Sequence, residues 1–381
     1  MLDKGAIDRY RREFGVVKGS VYLDHAGVAP VPKRVREAVS EFLSRASDKA
    51  ILDYDSWMAR VEEVRASAAA LIGSRTDEVA FIKNTSHGIS LVAGGIDWKE
   101  GDNVIITERE FPANVYPWLD LRSKGVEVST APFKGSHISI GDIEALMDSR
   151  TRLVSLSHVQ SVNGFRMDLK KLGQICRQRG VLLFVDAIQS LGVVPMDVKE
   201  YNVDFMSADG HKWLLSPEGT GIFYCREDLC PALKPGLIGW MCVENDADFE
   251  TIDYRLKSRA GRFEEGSYNV MGIYALGESV DMILEIGVQN ILERVLGLGE
   301  LIIKEAEKRG FQIKSPRDSN ERGGIVSFSG DFDPASVRQK LMEKNIVVNE
   351  RGGALRLAPH FYNAEEDILA FFKELDSLLS G

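Results

Sequence analysis

Seven short apolar segments recur along the first two thirds of this chain, and their spacing restricts the fold more than any other feature. They are EVAFIK (78–83), NVIITE (103–108), VEVSTA (126–131), RLVSLSH (152–158), VLLFVD (181–186), VDFMSA (203–208) and TGIFYC (220–225). Helical stretches lie between most of them, at 86–95, 112–123, 141–149 and 168–180. Strands alternating with amphipathic helices predict a mainly parallel seven-stranded sheet covered on both faces. Ligands of such sheets bind beyond the carboxyl ends of the strands.

From about residue 285 the pattern changes. A long helix, VQNILERVLGLGELIIKEAEKRG, leads to strands GGIVSFSG (323–330) and IVVNE (346–350), with helices at about 334–344 and 364–379. The expected organisation is a large α/β domain over 21–284 and a smaller α+β domain over 285–381, with residues 1–20 packing on the latter. A chain of 381 residues that is 44% hydrophobic supports both cores.

Net charge is −10, with no dense run of Lys or Arg, which argues against nucleic acid or an anionic membrane surface as partner. No apolar run reaches the roughly eighteen residues of a membrane span, and the charged N-terminal stretch lacks the apolar core of a signal peptide. A cytoplasmic location is expected. The four cysteines, Cys176, Cys225, Cys230 and Cys242, match no usual zinc spacing, so free thiols and no metal site are expected.

Two strand ends carry groups that work together in pyridoxal 5′-phosphate (PLP) chemistry. VLLFVD ends on Asp186, and VDFM leads into SADGHKWLLSPEGTG (207–221), which holds Lys212. A lysine amine can form a Schiff base with the cofactor aldehyde. A carboxylate can pair with the protonated pyridine nitrogen and so keep the ring an electron acceptor. After EVAFIK comes NTSHGIS, opening a helix whose free N–H groups favour an anion, with Thr85 and Ser86 adding hydroxyls. An ordinary N-cap explains the same residues. Phe111, just past another strand end, suits stacking on a ring or a place in the core. Arg356, in the short apolar segment LRLA, needs an anionic partner, either a carboxylate ligand or a structural ion pair.

Taken in order, YLDHAGVAP (22–30), the segments of Thr85, Phe111, Asp186 and Lys212, RFEEGSYN (262–269) and LRLAPHFYN (355–363) resemble the class V aminotransferase family, which includes cysteine desulfurases. The resemblance spans essentially the whole chain. It implies a fold-type I PLP-dependent transferase with Lys212 as the Schiff-base lysine and Asp186 as the pyridine partner. By the same resemblance Gln189 bonds the ring hydroxyl oxygen, Phe111 stacks on the ring, and Thr85, Ser86 and His211 hold the phosphate. Arg356 holds the substrate α-carboxylate, helped by the loop around His25, Ala26 and Gly27. Ser267 reaches the phosphate of a neighbouring subunit, which implies a homodimer with shared sites.

Two departures from the pattern matter. Desulfurases resemble one another in a histidine where Phe111 stands and in a nucleophilic cysteine on a loop before the substrate arginine. Here that loop, IVVNERGGALR, is short and has no cysteine. Asp209 stands where desulfurases often have a phosphate-binding serine, and a carboxylate facing a phosphate is unfavourable. Asp209 is therefore expected to point away, or to orient His211 or Arg262. The expected activity is an aminotransferase acting on a small amino acid and an oxo-acid. The alternatives are a desulfurase-like C–S lyase, an epimerase, and a binding module that has lost catalysis. Tyr54, Trp57, Tyr116 and Trp240 are the expected wall opposite Arg356.

Overall fold

In the computed structural model, which describes residues 2–380, all seven apolar segments lie in one sheet. Its strands are β1 (Val79–Ile82), β2 (Asn103–Thr107), β3 (Glu127–Ala131), β4 (Thr151–Ser157), β5 (Leu182–Asp186), β6 (Phe205–Asp209) and β7 (Gly221–Cys225). Their order is β1-β7-β6-β5-β4-β2-β3. Only β7 runs antiparallel to its neighbours; the remaining pairs are parallel. Alternation along the strands splits the apolar side chains between two cores. Val154, Leu156, Leu183, Val185, Met206 and Ala208 pack on one face, and Leu153, Phe184 and Phe205 on the other. Because both faces are dry, the strands read as unbroken apolar runs.

Helices α1 (Lys4–Arg11), α2 (Lys33–Lys49) and α3 (Tyr54–Leu71) precede the sheet, while α4 (Thr85–Gly95) and α5 (Leu169–Arg179) lie between its strands. The helix expected over 112–123 is a broken series instead, with 3₁₀ turns at Pro112–Asn114 and Leu121–Lys124 around a short helix Tyr116–Asp120. Pro117 lacks an N–H and sits in the first turn of that short helix, where its missing donor costs least; in the interior of a longer helix it would kink or break it. The stretch expected at 141–149 is helical only over Ile140–Ala145.

Helices α6 (Val270–Ile286) and α7 (Val288–Lys308) meet at Gly287, whose φ is +83°. Beyond them β8 (Gln312–Ile313), β9 (Val326–Ser329), β10 (Asn349–Arg351) and β11 (Ala354–Leu357) form an antiparallel sheet in the order β8-β9-β11-β10. Helices α8 (Pro334–Glu343) and α9 (Glu365–Ser380) pack Val337, Leu341, Phe371 and Phe372 around Phe328. IVVNE is divided between two pairings. Ile346–Val347 runs parallel to Val21–Tyr22, and Asn349–Arg351 turns back onto the strand that carries Arg356. The N-terminal segment touches both parts of the molecule: Tyr10 joins the core under the large sheet, and Arg11 forks onto Asp367 of α9 with two contacts of 2.7 Å.

One buried ion pair ties the RFEEGSYN segment to the sheet. Arg65 of α3 lies 2.7 Å from Glu264, which also accepts the Phe81 N–H of β1 at 2.7 Å and the Tyr268 hydroxyl at 2.9 Å. Removing one partner strands the other in the interior. Glu264→Ala is expected to cost about 3–5 kcal/mol, read as a fall in the urea midpoint of the purified protein. An unchanged midpoint would show that the pair carries no net stability.

Candidate functional site

The carboxyl ends of β4, β5 and β6 meet side by side, with Ser157, Asp186 and Ser207 in register. Asp186 closes β5 and is buried; its side chain accepts one hydrogen bond, from Ile188 N–H at 3.0 Å. Burial, aided by the nearby Glu110 charge, pushes its carboxyl up to about 7. From the end of β6 the chain runs through Asp209, Gly210 and His211 to Lys212, whose Nζ lies 5.6 Å from the centre of the Phe111 ring. Burial draws the Lys212 amine down to about 8, against the opposing pull of Asp186. Both groups are thus strained in their charged forms, and each relieves the other.

Beside them α4 begins. Asn84, not Thr85, is its N-cap and accepts the His87 N–H at 2.9 Å. Thr85 and Ser86 therefore occupy the first turn, where N–H groups have no intrahelical acceptor. The Thr85 hydroxyl oxygen accepts the Asp209 N–H at 3.1 Å, leaving its own hydrogen to donate. The helix can start this close to β6 because residue 88 is glycine: a Cβ there would meet Ser207 Oγ at 2.4 Å. Asp209 is turned back on its own segment. It accepts the Gly210 N–H at 2.7 Å and lies 3.1 Å from His211 Nδ1, not against Arg262.

Phe111 is 44% exposed. A large ring left open beside a half-buried lysine can cover the face of a planar ligand. Its neighbour Glu110 is the opposite, a buried carboxylate saturated with donors. Glu110 accepts from Ser157 N–H at 2.9 Å, Gln160 Nε2 at 2.6 Å and Asn114 Nδ2 at 3.1 Å, and from the hydroxyls of Thr107 and Ser157. It pins the Phe111 loop to the end of β4. Gln189 is engaged on both sides, donating to Ala26 O at 3.0 Å and accepting the Trp213 indole N–H at 2.8 Å. One amide hydrogen remains to it.

Arg356 is 1% exposed; it donates to Ser161 O at 2.9 Å and pairs with Asp24 at 3.0 Å. Its buried Nε has no acceptor among the described residues, so part of the fork is free for an anion. Gly27 is required beside it, since a Cβ there would meet Asp24 Oδ2 at 2.4 Å. His25 departs from the expected substrate contact. Its Nδ1 donates to Ala358 O at 2.8 Å, so Nε2 accepts from the Tyr362 hydroxyl at 2.8 Å. Buried and neutral, the ring has no free nitrogen; what its turn brings to Arg356 is the Asp24 carboxylate.

Other expected groups lie elsewhere. Tyr54 and Trp57 pack with each other, and Trp57 also packs on Phe42. Trp240 lies exposed against Phe249, and Tyr116 is exposed. Ser267 is exposed near Lys83 and His87 at the β1 edge of the sheet. All four cysteines are buried. Burial pushes the Cys176 thiol up to about 12 and raises those of Cys225 and Cys242, so these do not offer a thiolate. Sequence reasoning missed Asp24 and Glu110. For Glu110 one signal was present: an acid directly before the exposed ring, at a strand end.

The family described as Aminotransferase class-V matches residues 21–368. A probable cysteine desulfurase from Methanothermobacter thermautotrophicus is 32% identical over 97% of both chains. The uncharacterized aminotransferase YcbU of Bacillus subtilis is 27% identical over 95% of both. The apo structure of the cysteine desulfurase from Thermococcus onnurineus NA1 superposes with a TM-score of 0.91 at 26% identity, covering 98% of each chain.

Proposed function

This chain belongs to the class V aminotransferase family of PLP-dependent enzymes, and on that premise we propose that it cleaves the C–S bond of cysteine or a cysteine derivative without using a thiol of its own. Relatives named cysteine desulfurase move the sulfur-substrate reading ahead of transamination, which rests on the family alone. The observation that carries the proposal is the absence of an available thiolate. The described cysteines are all buried, and the loop before Arg356 has none.

The residues present fit the cofactor. Asp186 is a buried carboxylate with no ion pair in contact among the described residues, the start of α4 offers open N–H groups, and Phe111 is an uncovered ring beside Lys212. We assign Lys212 to the aldehyde carbon, Asp186 to the ring nitrogen, Gln189 to the ring hydroxyl and Phe111 to the ring face. Thr85, Ser86 and His211 serve the phosphate. Bound there, the cofactor would draw electrons from the bonds at the substrate α-carbon.

The rest is the work of this chain. Arg356 fixes the α-carboxylate with its unpaired N–H groups, while Asp24 and Ser161 hold the guanidinium in place. Lys212, with an amine that is partly neutral near pH 7.5, takes the α-proton. No protein thiol stands ready to accept sulfur, so it departs with the electron pair of the Cβ–S bond and is protonated. Water then converts the three-carbon fragment to pyruvate and ammonium. One cysteine and one water thus yield pyruvate, ammonium and hydrogen sulfide.

Product analysis after incubation with cysteine tests this. Pyruvate and sulfide in equal amounts are expected, undiminished when the four cysteines are replaced by serine or alanine. Alanine with a protein-bound persulfide would establish the desulfurase route. An oxo-acid retaining the sulfur, formed together with a new amino acid, would establish transamination.

We also propose a homodimer in which Ser267 serves the neighbouring subunit. Leu52, Phe249, Ile252 and Tyr254 are 67–92% exposed, apolar surface that a partner subunit could cover. Light scattering at assay concentration is expected to give twice the chain mass; a fully active monomer would remove the role of Ser267.

A further inference from the structure

A cleft of about 470 Å³ opens between the loop that carries Phe111, the segment after β4 and the tip of the β10–β11 hairpin. Its charged side chains are Arg109, Lys314 and Arg351. The chain has 57 acids against 47 bases, yet none of these three cations pairs with a carboxylate among the described residues. Arg109 lies over the Phe133 ring at 4.9 Å, and Lys314 donates to Gln312 at 2.7 Å. The acids next to them in the chain turn to backbone donors: Glu108 accepts the Phe133 N–H at 2.8 Å and Glu350 the Gly353 N–H at 3.2 Å. Arg109 also holds a left-handed φ of +63°, a costly conformation for a side chain of its kind.

The cleft adjoins the site already described. Arg109 is two residues from Phe111, and Val162 follows Ser161, whose carbonyl anchors Arg356. Ala354 is two residues before Arg356 on the same strand, and the charge of Arg351 is felt by both Lys212 and Arg356. Arg356 accounts for one carboxylate of an amino acid. Cysteine itself has no group for three further cations.

We propose that this cleft selects substrates whose side chain ends in a second anion: S-substituted cysteines bearing a carboxylate or similar oxyanion on the sulfur substituent. The inference rests on the C–S cleavage reading. The step is the one described above, with the anion-bearing thiol as leaving group: the Cβ–S pair goes to sulfur, sulfur is protonated, and water completes pyruvate and ammonium. Arg109 and Arg351 grip the distal anion, Lys314 adds to the field, and Arg356 keeps the α-carboxylate.

The test uses two isosteric probes, S-carboxymethylcysteine and S-carbamoylmethylcysteine, which differ in charge but hardly in shape. Binding to the cofactor-loaded enzyme is followed by the change in its visible absorbance, and cleavage by thiol release. The wild type is expected to bind the anionic probe at least about tenfold more tightly. In the Arg109→Gln/Arg351→Gln double variant the preference is expected to fall to about one, with the affinity for the neutral probe unchanged. Equal affinities in the wild type, no response to either probe at millimolar concentration, or a preference surviving in the double variant would each overturn the proposal. Because binding and thiol release are read separately, a charge preference without thiol release would overturn only the C–S cleavage reading.

Discussion

Lys212→Ala is expected to lower turnover by at least about 10³-fold, because one amine is asked to do two jobs. Held at about 8 by burial, it is roughly one quarter neutral at pH 7.5, whereas an exposed lysine is neutral to about one part in a thousand. That neutral fraction supplies both the nucleophile for the cofactor aldehyde and the base for the α-proton. Lys212→Arg is expected to restore neither, since a guanidinium stays protonated. The phosphate grip at Thr85 and Ser86 does not involve the lysine, so the variant is expected to keep the cofactor by noncovalent contacts. A second readout is independent of activity. Borohydride reduction of the loaded wild type, followed by peptide mapping, is expected to place the pyridoxyl group on the peptide containing Lys212. Label on another lysine would overturn the assignment.

Asp186→Asn is expected to separate function from stability. Activity should fall by at least about 10²-fold, because an amide cannot hold a ring nitrogen in its protonated form. The cofactor-free variant should nevertheless be more stable than the wild type at pH 8. The sign follows from the carboxyl, which burial raises to about 7 from an unfolded value near 4. The folded state therefore favours the neutral acid. Its contribution is fully present below about pH 4 and is lost as pH rises through about 7. Asparagine does not carry the cost of a buried charge, while its Oδ1 can still accept the Ile188 N–H. Thermal melts of the two cofactor-free proteins should converge near pH 4 and diverge by pH 8. Loading with cofactor should reverse the order, because a cation beside Asp186 removes the cost. A cofactor-free variant less stable than the wild type at pH 8 would show that Asp186 is a structural acid, not one held ready for a partner.

The sheet was legible because it is local. All seven strands announced themselves as apolar runs, and Asp186 and Lys212 were placed by where two of those runs end. The helix start at Thr85 and Ser86 was legible for the same reason, although its cap proved to be Asn84. The interruption at Pro117 was a local signal read with too little weight.

What only the tertiary structure decided concerns buried polar groups, whose partners lie far along the chain. Arg356 is met by Asp24, 332 residues away, and the His25 ring is consumed by Ala358 and Tyr362. Glu264 in RFEEGSYN turned inward to Arg65 and β1, leaving Ser267 outside. Arg109, Lys314 and Arg351 share one cleft although they come from three separate stretches. Periods of two and 3.6 residues record which face of an element is dry. They carry nothing about which donor will meet which acceptor once the dry faces close, and in a low-dielectric interior every such group must find one.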